Sequence, residues 1–210
     1  MRSISIPLPA LLLLLGGLLG GLSPTRTAVA QDVDSSETSL VETSSPDTTV
    51  DPDVPFVRTP QALVDRMLQL ADVDEDDVVY DLGSGDGRIP ITAAQMYGAR
   101  AVGIEIQPDL VLEARRNAKQ AGVADLVEFR QGDLFEADIR EATVVTLYLL
   151  PDVNERLRPK LFEQLEPGTR VVSHGFDMDG WTPDDVVETQ DTFLFLWTIP
   201  ETLPPDLQDE

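Results

Sequence analysis

Cysteine is absent from this chain. That excludes disulfides, zinc–thiolate centres, thiol nucleophiles and a lipidated N-terminal cysteine. Histidine occurs once, at His174, so no metal centre can use two imidazoles, H-E-x-x-H included. Bases are scarce, 15 against 38 acids, and Lys119 and Lys160 are the only lysines. A formal net charge of −23 repels phosphate backbones, which argues against a nucleic-acid partner. No G-x-S-x-G and no Walker lysine is present, so hydrolase and nucleotide-triphosphatase readings lack an anchor. The acids at Asp72, Asp74 and Asp76 mimic a calcium loop, but Asp77 stands where that loop needs glycine and Gly83 where it needs glutamate. No metal site is expected.

What is present divides into three parts. Residues 1–30 hold Arg2, a long apolar stretch without an acid, and Ala28-Val29-Ala30 before Gln31. This is the layout of a secretory signal peptide cleaved after Ala30, implying an exported or periplasmic protein. The alternative is an uncleaved hydrophobic anchor that holds a cytoplasmic catalytic domain near the membrane, although Pro7, Pro9 and the glycines weaken a spanning helix. Residues 31–54 carry nine Ser/Thr, seven acids and no base. With nothing to bury, they are expected to be a disordered linker. Residues 55–210 retain 31 acids and 13 bases, net −18, so the acidity belongs mostly to the folded part, expected to be monomeric. Asp excess with so little lysine suits a halophilic acidic protein, whose self-repulsion is screened by salt.

From residue 55 the hydrophobic pattern alternates between strand and helix. Thr59-Pro60 reads as a helix start with threonine as the cap, followed by a face of Leu63, Met67 and Leu70. Strands are expected at 78–82, 101–106, 126–131, 142–149 and 170–174. Helices are expected at 88–97, 109–121 and 152–166, the last broken at Pro159. Segments 186–190 and 193–199 flank Asp191-Thr192 as a closing hairpin. The fold class expected is α/β: a single-domain, Rossmann-like open parallel sheet with a C-terminal antiparallel hairpin.

The segment Val78-Val79-Tyr80-Asp81-Leu82-Gly83-Ser84-Gly85-Asp86-Gly87-Arg88 runs from a strand through a glycine-rich turn into a helix. Gly83, Gly85 and Gly87 permit close backbone approach, and the turn is expected to present main-chain N–H groups to a ligand. The spacing is G-x-G-x-G rather than the dinucleotide G-x-G-x-x-G. Asp81, two residues before the first glycine, would repel a pyrophosphate but suit a cation bearing an amino group. That points to S-adenosylmethionine. Glu105 ends the second strand, where a carboxylate accepts ribose hydroxyls. Asp133, after the third, is placed to accept from an adenine amino group.

These residues resemble the class I, seven-strand S-adenosylmethionine-dependent methyltransferases over about residues 55–199. The stretches Pro55-Phe56-Val57-Arg58-Thr59-Pro60, Asp81 to Arg88 and Leu147-Tyr148-Leu149-Leu150-Pro151 are similar to the small protein-lysine methyltransferases of the adenine nucleotide translocase and the ATP synthase c-subunit. The resemblance implies S-adenosylmethionine bound by Asp81, Gly83, Ser84, Gly85, Gly87, Glu105 and Asp133, with Phe56 and Thr59 closing over the site. Tyr148 is the candidate for lining the acceptor pocket and His174 for taking a proton near neutrality. The acceptor implied is a protein lysine. Alternatives are a small-molecule acceptor or a silent binding module on the same fold. No Asn-Pro-Pro-Tyr follows the fourth strand, which disfavours methylation of bases and glutamine amides.

Overall fold

The structure, a computed structural model, describes residues 56–202. The expected signal segment at 1–30 and linker at 31–54 lie outside the described residues. Helix α1 (Gln61–Leu70) is followed by β1 (Val78–Leu82), α2 (Arg88–Tyr97), β2 (Arg100–Glu105), α3 (Pro108–Ala121) and β3 (Val127–Gln131). The second half adds β4 (Val144–Leu147), α4 (Pro151–Gln164), β5 (Arg170–His174), β6 (Asp185–Glu188) and β7 (Phe193–Thr198). They build a seven-stranded sheet ordered β3-β2-β1-β4-β5-β7-β6. The first five strands are parallel, and β7 pairs antiparallel with both β5 and β6. The expected fold class is the one observed.

Alternation along β1 explains the layering, because successive side chains of a strand point to opposite faces. Val79 packs with Val64, Met67, Ala94 and Val111 beneath α1, α2 and α3. Tyr80 and Leu82 pack with Leu147, Leu157, Leu161 and Trp197 on the α4 side. All five residues of β1 are buried, as expected of a central parallel strand covered on both faces. Chain order reverses at β1, with β2 on one side and β4 on the other. In sheets of this type such a crevice, outside the C-terminal strand ends, is where ligands bind.

Three local expectations need correction. The cap of α1 is Pro60, without a side-chain hydrogen bond. Thr59 is instead buried, and its carbonyl accepts from Arg88 Nη1 at 2.7 Å. The buried face of α1 is Val64, Met67 and Leu68, with Leu63 and Leu70 only half-buried. Pro159 lies inside a continuous α4. It sits on the exposed side, where water can serve the carbonyl it leaves unpaired, while Val153, Leu157 and Leu161 pin the opposite face. The acids near Asp74 form a self-satisfied turn. Asp74 Oδ1 accepts from the Asp76 amide, Asp77 Oδ2 accepts from the Asp74 amide, and Arg170 pairs with Asp77.

Candidate active site

The glycine turn after β1 is steric in purpose. Gly83, Gly85 and Gly87 all have positive φ. A Cβ on Gly85 would come within 2.1 Å of the Phe56 ring, and one on Gly87 within 2.4 Å of the Phe129 ring. Four of the turn's amides are already spent. Gly83 and Ser84 both donate to the Ile104 carbonyl at 2.9 Å, and Gly87 donates to that of Ser84 at 2.9 Å. Gly85 donates to Glu105 Oε2 at 2.9 Å. The amides of Gly83, Ser84, Gly85 and Gly87 thus have acceptors within the protein, and at these four positions the turn presents backbone without side chains rather than free donors. The Ser84 hydroxyl is buried without a partner, and a Cβ on Gly103 would lie 2.6 Å from it.

Carboxylates face the cleft instead. Its empty space is about 860 Å³, the open solvent at its mouth included, and Asp81, Glu105, Asp133, Gly83, Ser84 and Tyr148 all line it. Asp81 is buried on β1, and its Oδ1 accepts from the Thr146 hydroxyl at 2.8 Å. Burial pushes its carboxyl up to about 7; the Thr146 hydrogen bond opposes this, and the nearby charges of Glu105 and Asp86 add to it. Glu105 ends β2, buried, with Oε1 accepting from the Gln107 amide and Oε2 from that of Gly85, each at 2.9 Å. A carboxylate has about four lone-pair sites, so both oxygens retain capacity for hydroxyls. Asp133 is exposed, with Oδ1 accepting from the Phe135 amide at 2.8 Å.

Residues 56–59 cross the turn as a strap. Phe56, Val57 and Thr59 line the cleft. Asp86 anchors the strap. It accepts from Arg88 Nε at 2.9 Å and Nη2 at 2.6 Å, and from Arg58 Nε at 3.0 Å. Burial opposes charge on Asp86, but the hydrogen bonds from Arg88 and Arg58 hold its carboxyl below the usual carboxylate range. Arg58 also reaches Glu113 at 3.2 Å and lies 5.4 Å from the Phe56 ring centre. Across the cleft, Tyr148 stacks on His174 with ring centroids 3.9 Å apart and planes 28° from parallel. Tyr148 is half-buried. His174 is buried behind it, its Nδ1 without a partner and its pKa lowered by desolvation. It is a neutral imidazole at neutral pH.

Residues 81–185 match the family described as the ANTKMT methyltransferase domain. The chain belongs to that family. A protein-lysine N-methyltransferase of Saccharolobus islandicus (strain REY15A) is 52% identical over 141 residues, 67% of this chain and 88% of that relative. The adenine nucleotide translocase lysine N-methyltransferase of Mus musculus is 38% identical over 64% of this chain, which spans 58% of the mouse protein. A solved structure of an RNA methyltransferase from Salinibacter ruber, in complex with S-adenosyl-L-homocysteine, is 70% identical. It has a TM-score of 0.72, covering 73% of this chain and 100% of that one.

S-adenosylmethionine is the cofactor of this methyltransferase, and the donor set fits it. One buried carboxylate suits an ammonium group, a second has lone pairs for hydroxyls, and an exposed one suits an exocyclic amine. The candidate residues Asp81, Gly83, Ser84, Glu105, Asp133, Phe56, Thr59 and Tyr148 line one cleft. Gly85 and Gly87 do not line it but leave room for the Phe56 and Phe129 rings, and His174 stacks on Tyr148. Sequence reasoning missed Asp86, Arg88 and Arg58, although Asp86-Gly87-Arg88 sits within the motif it singled out. It also missed Thr146, whose pairing with Asp81 requires the β1–β4 register.

Proposed function

We propose that this protein transfers a methyl group to the ε-amine of a lysine in a protein substrate. The bound cofactor supplies an electrophilic methyl on a sulfonium. The carboxylates hold it, and Phe56 and Val57 on one side and Tyr148 on the other narrow the approach, which orients an amine and limits water. A lysine must arrive deprotonated, since its reference pKa is about 10.4. Tyr148 lines the acceptor side, and the neutral His174 ring fixes its plane.

The observation that carries the substrate class is charge. A domain of net −18 attracts a cationic lysine segment and repels RNA. The activity named for the 52% identical archaeal relative supports the same class. The Salinibacter ruber protein is described as an RNA methyltransferase, which makes RNA the reading to test against. Tritium-methyl labelling of a lysate from cells lacking this protein should put the label into protease-sensitive material that yields methyl-lysine on hydrolysis. Label that resists protease and is released by ribonuclease would reverse the assignment.

Location follows from residues 1–30 and is part of the same proposal: export with cleavage after Ala30. Among the described residues no helix is long and apolar enough to cross a membrane. On this proposal, N-terminal sequencing of native protein should begin at Gln31. An intact Met1 in the membrane pellet would support the tethered alternative.

A further inference from the structure

Asp81 is the deepest of the cleft carboxylates, 3% exposed, and the chain gives it one side-chain hydrogen-bond donor. That donor is Thr146, itself fully buried on β4 at the position paired with Asp81 across the sheet. The distance from its Oγ1 to Asp81 Oδ1 is 2.8 Å; the alternative acceptor, the Tyr80 carbonyl, lies at 3.5 Å. A hydroxyl has a single proton to donate. The geometry therefore commits that proton to Asp81 and fixes which Asp81 oxygen remains for the cleft.

We propose that Thr146 is a positioning residue for cofactor recognition: it orients Asp81 and holds it in the form that accepts a cationic amino group. This rests on the assignment of the cleft to S-adenosylmethionine. The charged groups facing Asp81 are Glu105 from the end of β2 and Asp86 from the turn, both acids that oppose its ionisation. The two arginines beside them are committed to Asp86, Arg88 by two hydrogen bonds and Arg58 by one. No cation of the chain makes a hydrogen bond or ion pair with Asp81 among the described residues. Thr146 is thus the protein's own counterweight, and the ligand's ammonium completes it. Valine keeps the shape of threonine and deletes the donor; serine keeps the donor.

The test is S-adenosylhomocysteine affinity of the full chain, measured by calorimetry between about pH 5.5 and 8.5. For the unaltered protein, affinity should rise with pH and level off above neutrality as Asp81 ionises. Thr146→Val should move the midpoint of that rise upward by about one pH unit and weaken binding about fivefold at pH 7. Thr146→Ala, which does not depend on fitting a second methyl, should move it in the same direction. Thr146→Ser should restore the original midpoint. Midpoints unchanged in the valine and alanine variants, with binding intact, would overturn the role of Thr146 and leave the cleft assignment standing. Failure of the unaltered protein to bind would overturn the assignment and the inference together.

Discussion

The two walls of the cleft are built to different degrees of completeness. On the cofactor wall, formed by β1, β2 and the turn between Gly83 and Gly87, four amides are tied down and Asp86 is clamped by two arginines. On the acceptor wall, formed by β4, β5 and the segments after them, His174 Nδ1 and Asn154 Oδ1 are buried without partners behind the cleft lining, and the Ser84 hydroxyl on the cofactor wall is likewise buried without one. Tyr148 stacks there on the His174 ring. The difference teaches that the cofactor wall is fixed by a dense set of hydrogen bonds and ion pairs, whereas the acceptor wall rests on ring stacking.

The largest test of this contrast is Glu105→Ala. It removes both the ligand's hydroxyl acceptor and the acceptor for the Gly85 and Gln107 amides. Each charge-assisted bond is worth about 1.5–3 kcal/mol. S-adenosylhomocysteine affinity should fall by at least about 100-fold, and the melting temperature should drop as well. Unchanged melting would show that the turn does not lean on Glu105.

The pH dependence of the ligand-free protein comes next. Asp81 ionises at the ordinary aspartate value of 3.8 when unfolded and at about 7 when folded. Between those values the folded state binds the extra proton, so stability falls as pH rises across this window, by up to about 4 kcal/mol. The cofactor's cation should cancel that loss. Urea melts at several pH values, with and without S-adenosylhomocysteine, check both halves. Asp86 and Glu128, whose pKa values are lowered, act in the opposite sense, so the comparison is with Asp81→Asn: a slope between pH 4 and 7 that the substitution leaves unchanged would contradict the buried, ion-poor setting of Asp81.

A smaller effect is expected on the acceptor wall. Tyr148→Ala should lower kcat by about tenfold while S-adenosylhomocysteine affinity stays within about threefold. Equal losses in both would show that Tyr148 belongs to the cofactor wall. Salt should separate global from local electrostatics. Raising potassium chloride from about 0.1 to 1 M shortens the Debye length from about 10 to 3 Å. Melting temperature should rise while cofactor affinity changes by less than about twofold, because the cleft carboxylates act at short range. A flat or falling melting temperature would refute the halophilic reading of the acidity.

The sequence made the cofactor wall legible because each of its features is local. A strand, glycines at fixed offsets and an acid at each strand end fall within short spans, and positive φ at Gly83, Gly85 and Gly87 was readable from residue type. What the spacing could not show was where the amides of Gly83, Ser84 and Gly85 go, since their acceptors Ile104 and Glu105 belong to the next strand. Thr146 and the Arg58–Asp86 clamp stayed hidden for the same reason: both join residues 28 to 65 positions apart. The persistence of α4 through Pro159 depended on which face that proline occupies, which only packing decides.

The most direct measurement is titration of the full chain with S-adenosylhomocysteine and, in parallel, with NAD. Carboxylates on the first three strand ends and a turn whose Gly83, Ser84, Gly85 and Gly87 amides are bonded within the protein predict one-to-one binding of S-adenosylhomocysteine and none of the pyrophosphate-bearing ligand. Tight NAD binding with no response to S-adenosylhomocysteine would contradict the account at its centre.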